Sequence, residues 1–216
     1  GMVPDAYMGR GLGNKFLDSI READVLIQVV DATGKTDLHG NQCDSCDPAE
    51  EVAFLKNEIA MWIVEIVGRK GAKHLTVKDA ANALSGLKIS EQMLLHAAHE
   101  CGLDVGDGAL PDEAGLGRMM RELVEKRFPI AIAFNKIDVA GSKENFEKAK
   151  KAGGVDVFAC SAAIELALRK ASEHGIIKYA PGQKDFEVSG SPDEKQVEGL
   201  RRMAAFLGAN GGSGVQ

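Results

Sequence analysis

Positive charge is in short supply in this chain: 26 lysines and arginines face 32 aspartates and glutamates, for a net charge of -6. That balance gives no general electrostatic grip on nucleic acid, so any such contact must be local. Long apolar runs are missing too. None reaches the roughly 18 residues that a membrane-spanning helix needs, which argues against a membrane partner. The opening stretch Gly1 to Gly11 lacks the apolar segment of a secretory leader. Cysteine occurs only four times, which does not make the disulfide framework of a small secreted domain. These absences together predict a cytoplasmic location. Tryptophan occurs once, and Trp62 is expected to anchor a helical core.

What is present is ordinary for a globular protein: 44% hydrophobic and 27% charged residues over 216 positions. That length allows one good core, or a core and a smaller satellite. The glycine-rich start reads as an irregular loop. Asn14 can cap a helix in which Phe16, Leu17, Ile20 and Ala23 share a face. Val25 to Val30 is nearly all apolar and rich in β-branched residues, which predicts a parallel strand covered on both faces. Four helical patterns follow between about Asn41 and Arg127. The first has Pro48 in its opening turn and Val52, Leu55, Ile59, Ile63 and Ile66 at helical spacing. Thr76 and Asp79 suggest a capping box, and Gly102 a C-terminal cap. This helical insert is far longer than a normal crossover. Strands then alternate with helices again, at Ile130 to Phe134 and near Val157, so the parent class is α/β with a parallel sheet.

The second strand ends in Asn135, Lys136 and Asp138, an amide, a cation and a carboxylate. The carboxyl ends of parallel strands are where open α/β sheets bind ligands. Guanine carries N1–H and N2–H2 donors on one edge, and an ionised carboxylate can accept both. Adenine has no N2 donor and turns a lone pair toward the acid. Asp138 therefore selects guanine in this reading. Asn135 can bond N7 and tie loops together, and the stem of Lys136 can lie along the base. The next strand ends at Cys160, Ser161, Ala162 and Ala163. Ser161 can brace the loop there, and the Ala162 N–H can reach O6. The competing reading of Asn135 to Asp138 is a plain strand-to-helix turn with a solvated lysine. The second cluster after the next strand favours the guanine reading.

Residues Gly1 to Ala32, the helical insert, the Phe134 to Asp138 turn, Cys160 to Val188 and the Gly212 to Gln216 end together resemble the Obg/YchF-like translation-factor GTPases. The nearest branch is the archaeal–eukaryal one that carries a TGS domain after its GTPase domain. The resemblance implies an incomplete Ras-like P-loop GTPase domain holding strands 4, 5 and 6 of that fold, with an α-helical insert. The expected division is 1–40 and 128–207 for the GTPase domain, 41–127 for the insert, and 208–216 for a linker. The YchF branch has a glutamate where this chain has Asp138 and favours ATP, so the aspartate implies GTP or GDP. The alignment places Gly1 on the last residue of the Asp-x-x-Gly motif and Met2 just after it, both in switch II. The phosphate loop, switch I and the TGS domain would then lie outside this chain. The implied function is guanine-nucleotide binding within a ribosome-associated GTPase that uses Mg²⁺ with GTP when whole, with no catalytic residue and no metal in this segment. The alternative is a helical adaptor module whose nucleotide pocket is structural.

Several weaker signals keep more than one reading. Gly34-Lys35-Thr36 lacks the spacing of a phosphate loop and reads as a polar turn. Cys43 and Cys46, with His39 nearby, are open to half a zinc site, a redox pair or a solvent loop. The absence of a second Cys-x-x-Cys favours the loop. His96 and His99 read as core or surface histidines. Arg69, Lys70, Lys73, His74 and Lys78 form a basic cluster, read as a solvated face or as a local RNA or ribosome contact. A missing first strand would leave an apolar edge beside Val25 to Val30.

Overall fold

The computed structural model describes residues 19–44, 46–68, 75–152 and 156–215. The expected switch II residues Gly1 and Met2, the helix expected from Asn14 through residue 18, and Arg69, Lys70, Lys73 and His74 lie outside them. By contacts the chain divides into two units. One takes residues 1–28, 38–41 and 49–131, and the other takes 29–37, 42–48 and 132–216. These units cut across the expected boundaries at 40 and 127.

The first unit is helical. Helix α1 spans Pro48–Gly68, with Glu50 and Glu51 in its first turn, where the helix dipole favours acids. Its buried face carries Ile59, Trp62, Ile63 and Val67, so the lone tryptophan is a core residue at 4% exposure. Helix α2, Val77–Ala83, opens on the full capping box of Thr76 and Asp79. Helix α3, Glu91–Glu100, is capped by Ser90. It ends at Gly102 with φ +65°, where the Gly102 and Leu103 N–H groups close on the carbonyls of His99 and Ala98. Helix α4, Glu113–Arg127, is capped by Asp112 and buries Met119, Met120, Leu123 and Val124. Lys56 of α1 pairs with Glu125 of α4 at 2.6 Å, and Arg121 donates to Asn57 at 3.1 Å. His96 and His99 are both on the exposed face of α3.

The sheet has the order β1-β2-β3, with β1 at Leu26–Asp31, β2 at Ile130–Asn135 and β3 at Val157–Ala159. β2 and β3 are parallel, with Ile132 opposite Val157 and Phe134 opposite Ala159. β1 and β2 also advance together, from the Leu26–Pro129 bond to the Ala32–Asn135 bond. β2 is buried at Ile130, Ile132 and Phe134. β1 departs from the expected strand covered on both faces: Val25, Ile27 and Val29 are 59%, 71% and 62% exposed. The apolar run formed a strand as its β-branched residues dictate, with Ile27 and Val29 exposed on one face.

After β2, helix α5 spans Ser142–Ala152, and its Phe146 meets Phe134 edge-on at 6.0 Å. Helix α6 is Ala162–Glu173. A short antiparallel hairpin, β4 at Ile177–Lys178 and β5 at Glu187–Val188, follows it. Helix α7, Glu194–Asn210, opens on a capping box of Asp193 and Gln196 and closes at Gly211 in the left-handed region. Leu168, Ile177, Tyr179, Leu200 and Leu207 form the core that joins α6, the hairpin and α7. Residues 208–216, expected as a flexible linker, behave otherwise: α7 continues to Asn210, and Ser213 is 1% exposed.

Trp62→Ala is expected to cost about 3–5 kcal/mol of stability, the usual loss for a buried aromatic. Leu95→Ala, at a side chain left 41% exposed, should cost under about 0.5 kcal/mol. Denaturant unfolding of the two variants beside the parent chain measures the difference.

Candidate functional site

The polar turn after β2 begins with an unusual backbone. Lys136 has φ +64°, one of two non-glycine residues in the left-handed region among the described residues. The turn is closed by the Val139 N–H on the Lys136 carbonyl at 3.0 Å, and the Ile137 N–H bonds Cys160 at 3.2 Å. Ile137 is buried, so its side chain nails the turn to the core while Lys136 and Asp138 stay exposed on either side.

Each polar group of the turn is held by another strand end. The Lys136 Nζ lies 2.6 Å from Oδ2 of Asp31, the last residue of β1. Asp31 Oδ1 accepts from the Thr33 N–H at 2.9 Å and the Thr33 hydroxyl at 2.7 Å. Burial pushes the Asp31 carboxyl up, but the hydrogen bonds from Lys136 and Thr33 and the Lys136 charge outweigh it, and the net direction is below the ordinary value. Asn135 Oδ1 accepts from the Ala162 N–H at 3.0 Å, with the Cys160 thiol 3.9 Å away. Burial raises the pKa of that thiol. Asp138 Oδ1 accepts from the Ser161 hydroxyl at 2.5 Å. The same hydroxyl accepts from the Ile164 N–H at 3.2 Å, which makes Ser161 the N-cap of α6.

All five expected base-site residues, Asn135, Lys136, Asp138, Ser161 and Ala162, therefore meet at the carboxyl ends of β2 and β3. Ser161 braces the turn, as its position after β3 suggested, and Asn135 does tie two loops together. The Ala162 N–H, expected to reach O6, has Asn135 Oδ1 as its acceptor here. Asp31 was missed as the partner of Lys136. Its signal was the Asp-x-Thr step at Asp31 and Thr33, which favours a side-chain turn of this kind.

The loop after β1 is not a phosphate loop. Gly34 has φ +63°, and a Cβ there would lie 2.6 Å from the Cys46 carbonyl oxygen. No helix starts until Pro48; Thr36 instead bridges to Gln42. The Asn145 amide bonds the Ala32 carbonyl at 2.9 Å and fixes the start of the loop. Cys43 and Cys46 are joined as a disulfide, with their N–H groups on the carbonyls of Lys35 and Gly34. This replaces the favoured solvent-loop reading. Among the described residues no group of three or more His, Cys, Asp or Glu could hold a metal ion.

Residues 133–216, which begin in β2 and take in the whole turn, match the family model described as Obg-like GTPase YGR210-like, G4 motif-containing domain. Over its full length the chain is 40% identical to the GTP-binding protein MJ1332 of Methanocaldococcus jannaschii, and covers 56% of it. The chain belongs to the Obg-like GTPases. In this YGR210-like group a second relative, the GTP-binding protein C428.15 of Schizosaccharomyces pombe, is 33% identical over 96% of the chain and 52% of its own length. A crystal structure of a GTP-binding protein from Pyrococcus horikoshii OT3 superposes with a TM-score of 0.69 at 33% identity, over 93% of this chain and 57% of that one. The chain thus spans about half the length of the Obg-like relatives it matches. No helix among its described residues is long and apolar enough to cross a membrane.

The Asp31 carboxylate gives a pH prediction. Its folded pKa is depressed, so its stabilising contribution is present above the unfolded value and is lost as pH falls through the folded one, below about pH 4. Asp31→Asn should flatten the loss of stability in that acid range, which thermal melts from pH 6 to pH 3 would read.

Proposed function

We propose that this segment reads the guanine base of GTP and GDP inside a longer GTPase. The observation that carries the reading is the Asp138 carboxylate. It is exposed at the end of a parallel sheet and held at one oxygen by Ser161, and no hydrogen bond engages its other oxygen among the described residues. An acceptor-only group fixed in this way suits a ligand edge with two donors. The Asn135 amide nitrogen is available for N7. The Ala162 N–H can serve O6 if Asn135 Oδ1 shares or releases it. The stem of Lys136 flanks the base while its ammonium stays on Asp31.

Phosphate binding and hydrolysis depend, in this reading, on parts of the longer protein beyond this chain, the phosphate loop and switch I, while switch II begins within it at Gly1 and Met2. The loop at Gly34 to Thr36 lacks the shape to cradle a phosphate. The described residues offer no cluster of three or more His, Cys, Asp or Glu for a metal ion; Mg²⁺ accompanies GTP in the longer protein. Positioning and electrostatics supply most of the catalysis in phosphoryl transfer, so the 216-residue chain alone should show no GTPase rate above an Asp138→Ala control.

Ribosome association is the partner we infer for the longer protein, from the resemblance to translation-factor GTPases. A second reading, a nucleotide-indifferent adaptor, is favoured by the helical unit having its own buried core. Ribosome co-sedimentation that ignores nucleotide and survives Asp138→Ala would choose the adaptor.

In competition binding the longer protein should prefer GDP and GTP over ATP. Asp138→Ala should weaken GDP by on the order of a hundredfold, since two hydrogen bonds to a charged group are worth about 1.5 kcal/mol each at the low end. An ATP preference in the parent protein overturns the reading.

A further inference from the structure

The turn that holds Asp138 is itself held from the far end of the chain. Ser161 is fully buried at 0% exposure, so its backbone N–H needs a protein acceptor. That acceptor is the carbonyl of Ser213, at 2.8 Å. Ser213 in turn is anchored through its hydroxyl, which donates to Glu165 Oε2 at 2.7 Å in a buried pair and accepts weakly from the Val215 N–H at 3.4 Å.

Glu165 is a carboxylate at 3% exposure, and its side-chain oxygens are held by three donors. Tyr179 donates its hydroxyl to the same Oε2 at 2.6 Å, and Arg169, one turn along α6, donates to Oε1 at 2.7 Å. Burial pushes the Glu165 carboxyl up, and the bonds from Tyr179, Ser213 and Arg169 more than reverse that, leaving it below its ordinary value. The glycine beside Ser213 is equally committed. Gly214 has φ +75°, and a Cβ there would run into the Ala159 carbonyl oxygen and lie 2.9 Å from the Cys160 Cα. The tail thus lies flat on the last residues of β3, immediately before Ser161.

We propose that Ser213, anchored by Glu165 and Tyr179, is a positioning residue for guanine recognition: it fixes the Ser161 backbone, so that the Ser161 hydroxyl aims the Asp138 carboxylate at the base edge. The path has three hydrogen-bonded steps: Glu165 to Ser213, Ser213 to Ser161, and Ser161 to Asp138. The proposal rests on the base-reading role of Asp138 given above.

Inosine diphosphate separates this role from general support, because it is GDP without the 2-amino group that Asp138 would bind. Affinities for GDP and inosine diphosphate are measured on the longer protein as the parent, Asp138→Ala, Ser213→Ala and the double variant. Asp138→Ala should erase the preference for GDP. Ser213→Ala should cut that preference by about fivefold, the scale of one weakened hydrogen bond, and should add nothing to it in the Asp138→Ala background. Tyr179→Phe, which leaves Glu165 its bonds to Ser213 and Arg169, should cut it about twofold and serves where Ser213→Ala does not fold. Equal weakening of both nucleotides by Ser213→Ala or Tyr179→Phe, or an unchanged preference, overturns the clamp while leaving base reading intact. A preference that survives Asp138→Ala instead sinks the base reading, and the clamp with it.

Discussion

The Ser161 hydroxyl has a single proton, and the arrangement of the site follows from where it goes. Asp138 takes it, at 2.5 Å. A lone pair of the same oxygen receives the Ile164 N–H, which starts α6. A serine used as a donor in one direction and an acceptor in the other cannot rotate freely. Its place at the exit of β3 also joins three elements: the strand that delivers it, the helix that begins on it, and the carboxylate of the neighbouring turn. Orienting Asp138 is therefore a consequence of capping α6, and any change that moves the cap moves the acid.

The second constraint is the left-handed backbone at Lys136. A non-glycine residue there costs about 1–2 kcal/mol. The ion pair with Asp31 does not offset that alone, since its lysine is 53% exposed and such pairs are worth roughly 0–1 kcal/mol. The remainder comes from the neighbours. Ile137 is 3% exposed, its N–H is bonded to Cys160, and Val139 closes the turn. The backbone reversal places successive side chains at 136, 137 and 138 on solvent, core and solvent. A lysine and a carboxylate can then flank a ligand while the residue between them anchors both.

The elements of this fold were legible where periodicity and capping agreed. The four helices after Asn41 follow from apolar spacing and from Thr76, Asp79 and Gly102, all local signals. The polar cluster at Asn135, Lys136 and Asp138 was legible because β2 is an apolar strand ending in three polar groups. What sequence reading missed depends on contacts across distance. Asp31 and Lys136 are 105 positions apart, and nothing local joins them. The tail at 208–216 read as a linker because glycine is common in flexible segments. Yet glycine is also what close backbone approach requires, and at Gly214 the second cause operates. The β4–β5 hairpin was missed because strands of two residues carry no usable period. The exposed face of β1 contradicts the apolar run that predicted it, because composition reports what a strand needs covered and not whether the cover is at hand.

Glu165 shows why a carboxylate, and not an apolar side chain, sits at the centre of the second unit. Burying a charge is costly unless donors surround it. Here three side chains supply them, from α6, from the segment beside the hairpin and from the tail after α7. An apolar residue would fill the volume but would leave the Tyr179 and Ser213 hydroxyls without an acceptor, and unpaired buried donors cost about 1–3 kcal/mol each. A glutamine offers one acceptor oxygen where the carboxylate offers two, and turns an N–H2 toward a donor. Only the ionised acid satisfies all three partners. Arg169 lets part of that charge face solvent, since its own side chain is 45% exposed. The acid therefore fastens two other segments, the one beside the hairpin and the tail, to the helix that Ser161 begins. The geometry of the Asn135 to Asp138 turn depends on it, although it lies outside that turn.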